Sequence, residues 1–161
     1  MTTPAEFRSR LSLHRVTLRR NLELLHRFAK DFDDDAARTP IVPGKSHFAW
    51  LLAHLAVARD AMLERLGAER VWDAAAAERY KRGSDAAAHD PPPIEEILRT
   101  LDRQGERLAS AMQAVDDAAL AAPEGSGSVS DRLEFLIWHE TYHLGQGALY
   151  RRAAGLESPI G

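Results

Sequence analysis

The chain of 161 residues contains no cysteine. That absence excludes disulfides, thiolate metal sites and a nucleophilic thiol carried by the protein itself. No apolar run approaches the roughly 18–20 residues needed to span a bilayer. The first residues, Met1-Thr2-Thr3-Pro4-Ala5-Glu6-Phe7, lack the basic-then-apolar order of a secretory leader. A cytoplasmic location without a membrane partner is therefore expected. A basic excess is missing too: 21 Lys and Arg stand against 24 Asp and Glu, for a net charge of -3. Duplex-binding domains normally carry a basic surface, so no nucleic-acid partner is expected. The N-terminal arginines (Arg8, Arg10, Arg15, Arg19, Arg20, Arg27) are spread around a helix and followed by Asp31, Asp33, Asp34 and Asp35. They read as a solvated surface.

Convincing strands are also lacking, as are repeats and low-complexity linkers, so residues 1–161 read as a single domain. Apolar residues make up 45% and charged residues 28%, which suits a soluble globular fold. Four long helical patterns account for most of the chain. Residues ~4–30 carry Phe7, Leu11, His14, Leu18, Leu22, Leu25 and Phe28 at spacings of three or four. The acidic cluster, Pro40, Pro43 and Gly44 then break the helix. Ser46 opens a second helix, ~46–67, with the stripe Phe48, Leu51, Leu55, Ala58, Met62 and Leu66, and Gly67 suits its end. Val71 to Tyr80 reads as a short alanine-rich helix. Asp90-Pro91-Pro92-Pro93 starts a third long helix, running to ~116, because proline is tolerated only in a first turn. Gly125-Ser126-Gly127-Ser128 reads as a flexible connector. Ser128 and Asp131 have capping-box spacing, with Ser130 as a competing cap, ahead of a fourth helix over ~130–154 that Gly155 can end. Four amphipathic helices of this length predict an all-α four-helix bundle.

The chemistry concentrates in His139-Glu140-Thr141-Tyr142-His143. Histidines four apart on a helix share a face, one turn above the other, so both imidazoles can reach one metal ion. Spaced at 100° per residue, Leu133, Leu136, Ile137, Leu144 and Ala148 form the core-facing arc, with His139 and His143 on its flank. Glu140 falls inside that arc. A carboxylate there must be hydrogen-bonded or near a cation. It could orient a ligating imidazole or act as the catalytic base that takes a proton from water at the metal.

Two histidines of the second helix are candidates for a third ligand. His47 and His54 are two turns apart, roughly 10 Å along the axis, so one ion cannot easily take both. His47 sits in the first turn, where hydration is cheap. His54 sits mid-helix at the edge of the core stripe and is the favoured ligand. His14, His26 and His89 read as surface or hydrogen-bonded core residues. Three neutral imidazoles leave coordination positions open, the pattern of a catalytic metal site. The H-E-x-x-H letters also match metallopeptidases, but only eighteen residues follow His143 and no sheet edge is visible to hold a substrate. A di-iron bundle needs a second Glu-x-x-His, and none occurs.

Ala49-Trp50-Leu51-Leu52-Ala53-His54-Leu55-Ala56 resembles the "WLLxHLA" segment of the DinB/YfiT-like superfamily. His139-Glu140-Thr141-Tyr142-His143-Leu144-Gly145-Gln146, with Leu149-Tyr150-Arg151-Arg152-Ala153-Ala154-Gly155-Leu156, resembles that family's "HxxxHxGQ…LRRxxGL" ending. The resemblance implies a four-helix bundle, often dimeric, with one divalent ion held by residues matching His54, His139 and His143. It further implies a metal-dependent hydrolase, or a transferase using a low-molecular-weight thiol as cosubstrate. Imidazole ligation favours Zn²⁺ or Ni²⁺. A small-molecule substrate is expected, and a non-catalytic metal-binding or stress-response protein is the alternative. Phe135, Trp138, Tyr142 and Leu149 cluster opposite the core arc. A helix apolar on both sides must bury both, so a homodimer through this face is expected, with the 68–92 connector, through Val71 and Trp72, as the other possible cover.

Overall fold

The computed structural model describes residues 1–160. Its long helices are α1 (Pro4–Ala29), α3 (Phe48–Arg65), α5 (Ile94–Ala114) and α7 (Val129–Ala153). Short helices α2 (Asp34–Arg38), α4 (Ala74–Tyr80) and α6 (Asp117–Ala121) occupy the connections. α3 packs on α5 and α7, and α1 packs on the same two. The cyclic order is therefore α1–α5–α3–α7, with α1 and α3 on one diagonal.

The ends of these helices follow from their sequence. Thr3 caps α1 and forms a reciprocal box with Glu6. Ser128 caps α7 in the same way with Asp131, so Ser128 rather than Ser130 is the cap. α3 starts two residues later than Ser46 because His47 is its cap: the His47 Nδ1 accepts from the Trp50 amide at 3.2 Å. α4 starts at Ala74, not Val71. The buried Asp60 carboxylate accepts from the amides of Val71 at 2.8 Å and Trp72 at 2.9 Å. That holds both residues out of the helix and leaves Asp73 to cap it.

The acidic run after α1 does more than stop a helix. Asp33 caps α2, and Asp34 and Asp35 lie in its first turn, where the helix dipole favours negative charge. The glycine connector is ordered as a minimal hairpin, with β1 (Pro123–Glu124) pairing antiparallel with β2 (Gly127–Ser128) around Gly125 at φ 61°. Helix α3 is not a one-sided amphipathic helix either. Only Val57, Ala61, Glu64 and Arg65 escape full burial. It is the central helix, enclosed by α5, α7, α2 and α4.

The apolar core is split along the bundle axis. One cluster contains Leu25, Ala56, Leu101 and Leu144, and the other contains Leu18, Met62, Leu108 and Ile137. Between them lies a layer of buried polar side chains drawn from all four long helices: Asn21, Arg59, Gln104 and Glu140.

Candidate metal centre

Near this polar layer, three imidazoles from α3 and α7 converge. Nε2 of His139 lies 3.0 Å from Nε2 of His143 and 3.3 Å from Nε2 of His54. One ring nitrogen from each of the three lies within 4.8 Å of the other two. The α-helical spacing of four supplies the His139–His143 half of the cluster. The packing of α3 on α7 supplies the rest.

Hydrogen bonds fix which nitrogen faces inward. The Tyr80 main-chain oxygen can only accept, so His54 donates to it from Nδ1, at 2.6 Å. His54 Nε2 is left with its lone pair. His143 Nδ1 donates to Gln146 Oε1 at 2.7 Å, with the same consequence for His143. The indole of Trp50 stacks on His54 at 5.0 Å and 7°, fixing its ring plane. Two lone pairs, and at most one N–H from His139, therefore meet in a small triangle. One His139 N–H can satisfy only one of those lone pairs well, whereas a cation can take electrons from all three nitrogens.

The spacing fits such a cation. Two imidazole nitrogens on one tetrahedral zinc, each at about 2.0–2.1 Å, stand roughly 3.3 Å apart. The protonation state fits as well, since ligating histidines must be neutral. Burial pushes all three rings below the ordinary imidazole value, and it is the leading cause in each. His139 falls to about 4, with His143 and His54 adding to the effect of burial. The donor set therefore suits one divalent ion.

Glu140 does not join this group. Its carboxylate is fully buried and accepts from Arg59 Nε at 2.8 Å and Arg59 Nη2 at 2.9 Å. It makes no hydrogen bond to any of the three imidazoles, so the geometry gives the expected base or imidazole-orienting role no support. His47 is spent on capping α3. His14 is buried and stacked on Phe7 at 5.0 Å, but its Nε2 has no partner, unlike the hydrogen-bonded core histidine the sequence suggests. His26 pairs with Asp102 at the surface.

Tyr80, Gln146, Trp50 and Arg59 were not anticipated from the sequence as parts of the site or its support. Gln146 had a signal, being three residues after His143 on a helix. Arg59 had one too, as a charge within the apolar stretch between Leu55 and Leu63 of α3. Tyr80 had none, because it acts through its main-chain oxygen.

His139 and His143 are only half-buried, and the open side of the cluster borders an aromatic strip. Phe135 lies 5.9 Å from His139, and Tyr142 lies 5.2 Å from His143. Trp138 stacks on Tyr142 at 5.8 Å. Exposure is 39% for Phe135, 59% for Trp138, 55% for Tyr142 and 55% for Leu149. The connector does not cover this strip: Trp72 and Val71 pack against the core instead. Two grooves lie away from the three histidines. One of about 720 Å³ is lined by residues of α1 and α5, and one of about 350 Å³ is lined by His47 and His89.

Fold and site together define a class: an all-α bundle with a histidine cluster, drawn from two of its helices, able to hold one divalent ion. The family model of the DinB superfamily matches residues 17–146 and so spans all three histidines. The chain belongs to the DinB superfamily. No curated protein matches it.

Proposed function

We propose that the chain is a divalent-metal-dependent enzyme that activates a small nucleophile at His54, His139 and His143, with Zn²⁺ or Ni²⁺ as the ion. The convergence of the three Nε2 atoms, at separations of 3.0 and 3.3 Å, carries this reading. A bound dication with neutral ligands keeps its full charge and stabilises the anionic form of a nucleophile beside it. Tyr80 and Trp50 hold His54, and Gln146 holds His143. The side between Phe135 and Tyr142 is left for substrate.

Two nucleophiles suit such a centre: water, giving a hydrolase, and a low-molecular-weight thiol, giving an S-transferase. The engagement of Glu140 by Arg59 favours the thiol, because it removes the carboxylate that a hydrolytic route would use as base. The cysteine-free chain requires that thiol to come as a cosubstrate. A second copy of the chain covering the aromatic strip would wall the open side, so we assign the active form as a homodimer.

Metal-loaded protein incubated with a low-molecular-weight thiol and an alkyl or epoxide electrophile tests the reading. Thioether formation that disappears in His139→Ala supports it. Turnover of esters or amides without thiol would shift the assignment to hydrolase. A silent panel from a protein that still binds one ion would favour a non-catalytic metal-binding or stress-response role.

A further inference from the structure

The buried polar layer demands an explanation, because it is a poor way to gain stability. Replacing a buried ion pair by apolar side chains of similar volume is often neutral or stabilising. What polar groups add in a bundle is direction. Apolar faces still make contact after one helix slides a turn, about 5.4 Å, along another, whereas a bidentate ion pair does not.

Arg59 reaches all four long helices. It rises from α3 and grips Glu140 of α7 with two nitrogens. Its Nη2 also donates to the Leu18 main-chain oxygen of the diagonal helix α1 at 3.1 Å, and Nη1 donates to the Leu101 oxygen of α5 at 3.4 Å. Gly105 makes the room. A Cβ there would lie 2.9 Å from Leu22 Cδ2 and 3.4 Å from Arg59 Nη1. Gln104 adds a bond from α5 to the Ala56 oxygen of α3 at 2.8 Å, and Asn21 adds one from α1 to Thr141 of α7 at 3.1 Å.

The same two helices carry the histidines. Glu140 follows His139 directly, and Arg59 lies five residues, roughly 7.5 Å of axial rise, after His54. Metal ligation tolerates errors of only about 0.2 Å in ligand distance. We infer that Arg59 and Glu140 are positioning residues: their buried pair sets the α3–α7 register that brings His54 onto His139 and His143. This rests on the metal-centre reading for its purpose, though not for the register itself.

The double variant Arg59→Met/Glu140→Leu replaces the pair by apolar chains. Its helicity and thermal midpoint should stay near those of the parent. Its Zn²⁺ affinity, measured against a competing chelator, should fall at least about tenfold. In metal-free protein, spin labels at Glu64→Cys and Arg132→Cys report the α3–α7 distance without a competing native thiol, with labelled chain diluted in unlabelled chain. That distribution should shift or broaden in the double variant. A folded double variant with parental Zn²⁺ affinity and parental distances would overturn the inference. If the parent binds no Zn²⁺, the metal reading fails separately, and the label distances still decide the register. If the double variant does not fold, Arg59→Lys keeps the charge but loses the fork. It should show the same two changes in milder form, and parental values would again refute the inference.

Discussion

The His54 Nδ1 lies 2.6 Å from the main-chain oxygen of Tyr80, and this one bond directs the Nε2 lone pair of His54 at His139. Tyr80 ends α4, which the Asp60–Val71 and Asp60–Trp72 bonds tether to α3. The connector that looks irregular in sequence is therefore part of the support for the centre. A ring held by a carbonyl on one nitrogen and offered to a cation on the other is the usual arrangement of a metal-ligating histidine.

Purified chain should contain about one divalent ion, and His54→Ala, His139→Ala and His143→Ala should each lose most of it. His47→Ala should keep the metal. As the α3 cap, its loss should lower stability by about 0.5–2 kcal/mol. Elemental analysis beside urea melts separates the two outcomes. Full metal in His54→Ala with loss in His47→Ala would mean that the third ligand is misassigned.

Two glycines of α7, two residues apart, should respond oppositely to alanine. A Cβ at Gly147 would sit 3.1 Å from the buried Phe28 ring, while a Cβ at Gly145 meets nothing within 4 Å. Gly145→Ala gains helix propensity, about 0.5–1 kcal/mol. Gly147→Ala adds a clash in a tight core that costs about 1–3 kcal/mol and outweighs the same gain. Chemical denaturation of the metal-free proteins checks both signs.

The metal-free chain should lose stability on acidification. Burial lowers the values of His14, His47, His54, His139 and His143 in the folded state. Below the unfolded value of about 6.5 the unfolded chain takes up protons more readily than the folded one. Stability is therefore fully present above that pH and falls as pH drops, continuing to about 4 where folded His139 titrates. Urea midpoints taken from about pH 7.5 down to about pH 4 should decline steadily. A flat or rising series would contradict the burial of these rings.

The aromatic strip should dimerise the protein. Light scattering at micromolar concentration should give twice the chain mass, and Trp138→Glu should give a single chain with its metal content unchanged. The ligands come from one chain, so dissociation need not disturb them. A monomeric parent would remove the homodimer from the proposed function.

Much of this was readable in one dimension. The three-to-four spacing of Phe7, Leu11, His14, Leu18, Leu22, Leu25 and Phe28 marks α1 because helix periodicity is local. The Ser128–Asp131 cap and the His139–His143 pair are legible for the same reason: each involves residues within one turn. Local pattern alone yields the four long helices, the pair of imidazoles on α7 and His54 as a mid-helix candidate. The partner of Glu140 emerges only from the packing of the helices. Helical phase placed Glu140 in the core, but its partner Arg59 lies 81 positions away along the chain. No periodicity encodes which buried charge meets which. The same holds for the Tyr80 oxygen behind His54. Contacts between elements depend on how the helices pack, and packing is set by the whole core at once.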